Sequence, residues 1–311
     1  MDRTQAREII SERVERYLGM AATRLPDDVM TKLQEVGSKE TNEMQQTIYD
    51  AYFMNLELAK KLHRPCCQDT GILHFYMTVG AEFPYIGVIE EALREAVHNA
   101  TESVPLRPNS IDYFKERNTG DNTGERVPWL HWEIAPERDD LEIITYFAGG
   151  GCCLPGNSKV YKPSEGYGSI VKAVFDTVTG LGINACPPLI VGVGLGTNME
   201  NAAVLSKQAY LRPLGTHHPH PRAAELEDAL RNGLNKVGIG AQGLNGNTVA
   251  LEVHIESSAR HTADVAVGVN VSCYMHRRGI IRFDRDLNCE VSGYADAEEY
   301  MKGTFRKEEQ K

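Results

Sequence analysis

Val249-Ala250-Leu251-Glu252-Val253-His254-Ile255, and then Val265-Ala266-Val267-Gly268-Val269-Asn270-Val271-Ser272-Cys273, alternate branched apolar residues with small or polar ones. A period of two belongs to extended chain, whose successive side chains point to opposite faces, so both runs are expected to be half-buried strands. Between them Ser257-Ser258-Ala259-Arg260-His261 places Arg260 and His261 on a strand-to-strand connection. Upstream, the helix expected over Arg222 to Leu234 sets Leu226, Ala229, Leu230 and Leu234 on one face, and Asn201 to Tyr210 also reads as helix. Before these, Asn184-Ala185-Cys186-Pro187-Pro188 leads into the short apolar strand Leu189 to Val193.

Further out, a helix is expected from Ser164 to Val178, and strands at Trp129 to Ile134 and Leu141 to Phe147. The second strand runs into Gly149-Gly150-Gly151-Cys152-Cys153, where three glycines let backbone approach a ligand closely. Pro105 to Pro128, which contains Arg107, is polar and rich in turn residues, including Asn118-Thr119-Gly120 and Asn122-Thr123-Gly124. A structureless loop of this length is uncommon unless functional or disordered, which singles out Arg107 within it. Ile89, Ala92, Leu93, Ala96 and Val97 form one helical stripe, and Thr41 to His63 reads as a helix ending before Pro65. Pro65 cannot continue that helix, so Cys67-Gln68-Asp69 sits on a turn before a strand from Ile72 to Val79. Strands and helices alternate irregularly, which implies an α/β fold of mixed β-sheets covered by helices. Residues 1–289 are expected to form the ordered domain and 290–311 a polar tail.

The chain has 311 residues, 41% of them hydrophobic, enough for a sizeable core. Its net charge of −10, from 43 acidic and 33 basic residues without a long basic run, argues against nucleic acid or an anionic membrane as partner. An anionic substrate would need a local positive site. Met1 to Glu8 leads into an amphipathic helix and reads as the start of a mature cytoplasmic protein, and the apolar run Leu189 to Leu195 is far shorter than a bilayer span. Seven cysteines is an odd number, so reduced thiols or metal ligands fit better than a disulfide framework. Cys289 reads simply as a small apolar side chain.

Several motifs fail on context. Gly238-Ile239-Gly240-Ala241-Gln242-Gly243 spells a dinucleotide fingerprint, but a helix precedes it and a strand follows, the reverse of what that mechanism requires. Gly192, Gly194 and Gly196 have the wrong spacing. His217-His218-Pro219-His220 reads as a surface loop, Cys152-Cys153 lacks redox spacing, and no Gly-x-Ser-x-Gly elbow occurs.

Three cysteines are left beside residues suited to gripping a small anion. Cys67 lies in Pro65-Cys66-Cys67-Gln68-Asp69-Thr70-Gly71, Cys186 precedes Pro187-Pro188, and Cys273 is followed by His276, Arg277 and Arg278. Thiolates that met in space could hold a cube of iron and sulfide with one iron open. A structural metal or a zinc hydrolase site is the competing reading of the same residues. Together with the glycine triplet and the stretch from His261 to Cys273, these motifs resemble the class I fumarase and tartrate dehydratase family. The resemblance runs from Arg24-Leu25-Pro26-Asp27-Asp28 to Arg278.

The resemblance implies a fold of the class I fumarase N-terminal-domain type and an oxygen-sensitive 4Fe-4S cluster, with one open iron, on Cys67, Cys186 and Cys273. It implies substrate contacts at Gln68, Asp69, Arg107, the backbone of Gly150 and His261. Asp69 would tune or relay a proton, and His261 would hydrogen-bond a substrate oxygen or protonate the leaving hydroxide. Read from the residues alone, Asp69 could equally cap a turn, Arg107 could be a solvated charge and His261 a satisfied imidazole. The family's base belongs to a second domain, which two-subunit members carry on a separate β chain. A partner β subunit is therefore expected, in a heterotetramer of two α and two β chains. The implied reaction is dehydration of L(+)-tartrate to oxaloacetate, with a two-subunit fumarate hydratase as the alternative and a non-catalytic subunit with a structural metal site as the different-class alternative. After the glycines, fumarases typically continue Ser-Glu-Asn, whereas Cys152-Cys153-Leu154-Pro155-Gly156 stands here, which is similar to the tartrate enzymes.

Overall fold

A computed structural model of the chain describes residues 1–302. The first helices are α1 (Arg3–Thr23), α2 (Asp27–Lys39) and α3 (Glu43–Leu62), followed by β1 (Ile72–Gly80) and α4 (Ile89–Ser103). Then come β2 (Ile111–Asp112), β3 (Arg117–Asn118), β4 (Trp129–Ala135), β5 (Leu141–Ala148), the one-turn helix α5 (Gly150–Cys153) and β6 (Asn157–Tyr161). The chain continues through α6 (Gly166–Gly180), β7 (Leu189–Gly196), α7 (Met199–Leu211), α8 (Pro221–Asn235), β8 (Ala250–Ser257) and β9 (Val265–Ser272). It closes with β10 (Arg278–Phe283), β11 (Cys289–Ser292) and α9 (Ala297–Lys302). The mixed sheets covered by helices are those of an α/β fold. Among the described residues no helix is long and apolar enough to cross a membrane.

These elements divide into two compact units. The first contains, of the described residues, 1–27, 55–149 and 277–302, built on a five-stranded sheet of order β11-β10-β5-β1-β4 in which only β1 and β4 run parallel. One face of it carries Phe75, Met77, Ile143 and Ile281 against Ile10, Val14 and Leu18 of α1 and the Ile89-to-Ala100 stripe of α4. α1 begins where the Asp2 carboxylate accepts from the Gln5 backbone N–H and the Gln5 side chain accepts from that of Asp2, a reciprocal capping box. The polar stretch 105–128 folds back as the small β2–β3 ladder rather than running as open loop.

Order also extends beyond the expected boundary at 290. β11 pairs with β10, Tyr294 is buried with its hydroxyl on the Arg278 carbonyl, and Ala297 is buried at the start of α9. The anchors are sparse, one apolar contact every few residues, so composition alone hides them. Residues 303–311 of the expected tail lie outside the described residues.

The second unit, residues 28–54 and 150–276, has a four-stranded sheet of order β6-β9-β7-β8, with β7 and β8 parallel. The alternation seen in sequence is real, but its second face is not solvated. Val191, Val193, Val267, Val269 and Val271 pack with Ile170 and Val174 of α6 and Leu230 and Leu234 of α8. The intervening residues are buried as well, because α7 lies directly over Gly192, Gly194, Gly196 and Gly268. These are the glycines whose spacing failed as a nucleotide motif, and their use is close helix–sheet approach. A Cβ on Gly194 would stand 2.0 Å from the Ala202 carbonyl oxygen and 2.5 Å from the Ser206 nitrogen, both backbone atoms that cannot swing aside. Gly194→Ala is accordingly expected to cost about 3 kcal/mol and to lower the thermal midpoint by at least about 5 °C. A melting curve superimposable on wild type would show that α7 is not seated this closely.

Candidate functional site

In the first unit Pro65 ends the run from α3, and the chain turns through Cys66 to Gly71. The Cys66 N–H donates to the Ala22 carbonyl at 2.9 Å, and its own carbonyl accepts from the Asn55 amide at 2.8 Å. Burial pushes the Cys66 thiol up to about 11, with the nearby Arg277 guanidinium opposing the rise. The neighbouring Cys67 is half-buried. Gln68 is exposed.

Asp69 does hold the turn, since its Oδ1 accepts from the Gly71 N–H at 2.9 Å. The same oxygen takes the Asn109 amide at 3.4 Å, and the Asp69 carbonyl accepts from the Arg277 guanidinium at 2.6 Å. Arg277, itself 2% exposed, lies over the Phe147 ring. Arg107 is brought to this turn by its backbone: its N–H donates to the Thr70 hydroxyl at 3.0 Å and its carbonyl accepts from the Asn122 amide at 2.8 Å. Its side chain is exposed. Asn122 is buried in a left-handed conformation and also accepts the Asn109 N–H at 2.7 Å. Asn109, Asn122 and Arg277 therefore orient the turn, whereas sequence reasoning assigned the two asparagines no role and set Arg277 among residues suited to gripping an anion. The only hints were the Asn-Thr-Gly doublet and the basic run after Cys273.

In the second unit Cys186 and Cys273 are neighbours. The backbone N–H of Tyr274, next after Cys273, faces the Cys186 carbonyl at 3.5 Å. The sheet explains this: β9 runs antiparallel to β7 with Ile190 opposite Ser272, so the entry to β7 and the exit from β9 share one end. Cys186 is exposed and its backbone is left-handed at φ 55°, a conformation that a non-glycine residue adopts only under restraint. Gly150 opens α5 at the same end, and a Cβ on Gly151 would stand 3.0 Å from the Asn184 carbonyl oxygen. Tyr52 of α3 and Gln242 complete the cluster. Burial pushes the Tyr52 hydroxyl above its ordinary range, the Gln242 amide opposes the rise, and Tyr49, Cys186 and Cys273 add to it.

His261 is not brought to the cysteines. It lies beyond the start of β9, where Ala266 pairs with Gly196 at the far end of β7. Six residues of strand at about 3.3 Å each separate the two ends by about 20 Å. The His261 ring is exposed, its Nδ1 accepting from the Ala263 N–H at 3.1 Å, which leaves the proton of the neutral ring on Nε2. The His217-to-His220 segment is a surface loop, pinned by the buried Glu227 carboxylate on the His218 N–H at 2.9 Å.

Among the described residues no three His, Cys, Asp or Glu side chains gather as a site for a metal ion. A single ion would need such a gathering, because bonds of about 2.3 Å draw its thiolates close together. A cube of iron and sulfide spaces its thiolates farther apart. All seven cysteines are thiols, and within the second unit the backbones of Cys186 and Cys273 are held side by side, two soft donors of the kind such a group takes.

Residues 11–282 match the family model described as fumarate hydratase (Fumerase). The chain is 50% identical over 289 residues to the L(+)-tartrate dehydratase subunit alpha of Escherichia coli strain K12, covering 93% of this chain and 95% of that one. The subunit alpha of Escherichia coli strain UTI89 matches to the same extent. A putative L(+)-tartrate dehydratase subunit alpha of Methanocaldococcus jannaschii is 36% identical over 281 residues, 89% of this chain and 98% of that one.

Proposed function

The chain belongs to the fumarate hydratase family, a family of hydro-lyases, and from that premise we propose that it is the α half of a two-subunit enzyme that dehydrates L(+)-tartrate to oxaloacetate. The observation that carries the proposal is the Tyr274 N–H facing the Cys186 carbonyl, which sets two of the three proposed cluster ligands side by side. Cys67, Cys186 and Cys273 would hold a 4Fe-4S cluster. When bound, that group supplies an open iron that acts as a Lewis acid toward a hydroxyl and its neighbouring carboxylate.

The chain's own residues have the other tasks. Arg107, its backbone fixed on Thr70, offers a guanidinium fork for the distal carboxylate, and Gln68 and the Gly150 backbone add polar contacts. Asp69, held by Gly71, Asn109 and Arg277, would tune or relay a proton. The base that takes the carbon proton belongs to a partner β subunit, in a heterotetramer of two chains of each kind. Loss of water from tartrate leaves an enol that takes the keto form, oxaloacetate. A reducing cytoplasm suits seven thiols and an oxygen-sensitive cluster.

Tartrate is preferred over fumarate for two reasons: the 50% identity to tartrate dehydratase alpha subunits, and the Cys152-Cys153-Leu154 segment in place of the fumarase Ser-Glu-Asn. The non-catalytic alternative is set aside by membership in a hydro-lyase family. Anaerobic co-expression with the β partner, followed by assay on L-tartrate, fumarate and L-malate, tests the proposal. Brown protein forming oxaloacetate from L-tartrate is expected, bleached by air and restored by ferrous iron and thiol. Preferential interconversion of fumarate and malate would move the chain to the fumarate reading, and colourless protein indifferent to oxygen would end the cluster assignment.

A further inference from the structure

We infer that Tyr52 is a positioning residue that fixes the spacing of Cys186 and Cys273, an inference that rests on the cluster proposed above. Tyr52 lies on α3, far from both cysteines in sequence, and is 6% exposed. Its hydroxyl donates to the Pro187 carbonyl at 3.3 Å and accepts from the Gln242 side-chain amide at 2.7 Å. Its ring stacks on Tyr274 with centroids 3.7 Å apart and planes 16° from parallel. Pro187 directly follows Cys186 and Tyr274 directly follows Cys273, so one side chain holds the chain neighbour of each thiol. The Tyr274 N–H facing the Cys186 carbonyl closes the circuit.

The other side of the circuit is equally fixed. The Gln242 backbone N–H also donates to the Pro187 carbonyl, at 2.9 Å, so that oxygen receives two donors. Gln242 is itself left-handed at φ 54°. The buried Gln45 holds the segment around it, its Oε1 accepting from the Ala241 N–H at 2.7 Å while its amide donates to the Ala241 and Leu244 carbonyls. One left-handed non-glycine residue, Gln242, thus donates to the residue that directly follows another, Cys186. Such backbone persists only where its surroundings over-determine it, and these bonds are the restraint. Groups that orient a metal's ligands in this way typically govern affinity about 10- to 100-fold.

The test uses the complex of this chain with its β partner, loaded anaerobically. Tyr52→Phe keeps the ring on Tyr274 and removes only the hydroxyl, and Gln242→Ala removes its second partner. Each is expected to release iron to a ferrous chelator about ten-fold faster than wild type and to shift the visible circular dichroism of the cluster, while the unloaded protein still melts in one cooperative transition only a few degrees below wild type. The double variant should be no worse than either single one, because both break one circuit. Release and spectrum identical to wild type in Tyr52→Phe would overturn the inference while leaving the cluster in place. A wild-type complex that takes up no iron and sulfide would overturn the cluster reading, and this inference with it.

Discussion

Cys186→Ala or Cys273→Ala is expected to yield a chain that folds but takes up no cluster. Three thiolates are the proposed anchors, and a cube left with two has lost a third of its covalent attachment along with the geometry that leaves a single iron open. Folding should survive for reasons visible at each site. Cys186 is exposed, so alanine opens no cavity there, and alanine meets the same left-handed backbone that cysteine already tolerates. Cys273 is 9% exposed, and losing one sulfur from its surroundings costs about 1 kcal/mol. The measurement is iron and acid-labile sulfide per chain in anaerobic preparations, read beside a melting curve. Wild-type iron and sulfide in either variant would remove that cysteine from the ligand set.

What could be read from the sequence was local. The stripe of α4 and the alternation of β8 and β9 follow from periods of 3.6 and two, and both elements stand where those periods put them. The missing part of the strand reading was the second face. Glycine, alanine, serine and asparagine between the valines look like solvent-facing positions, but small side chains are also what a closely seated helix needs, and α7 takes that face. Composition cannot separate the two cases.

The site shows the same division. Cys67, Asp69 and Arg107 come together because Thr70 binds Arg107 across the turn, yet Asn109, Asn122 and Arg277 act through amide and guanidinium contacts that leave no periodic trace. Tyr52 reaches Pro187 across 135 residues of sequence. His261 shows how the chain can separate sequence neighbours. Twelve residues from Cys273 is close along the chain, but most of that interval is β9, and extended backbone converts short sequence distance into a long spatial one.

Asp69→Asn is expected to lower kcat by about 10²- to 10⁴-fold while leaving iron content and melting temperature at wild-type values. Asparagine keeps the shape of the side chain and an Oδ1 that can still accept from the Gly71 N–H, so the turn persists. The Arg277 contact is to the Asp69 backbone carbonyl, which the substitution does not touch. What disappears is the negative charge and the capacity to pass a proton at that oxygen. Asp69→Ala supplies the contrast, since it removes the turn bond as well and should cost about 1 kcal/mol of stability in addition to the same loss of rate. The pair separates the two roles that Asp69 could hold. If Asp69→Asn retains kcat within about threefold of wild type, a loss of less than 1 kcal/mol in the barrier, Asp69 shapes the turn beside Cys67 and the proton travels by another route. If the rate collapses while the fold and cluster persist, the carboxylate itself takes part in the chemistry.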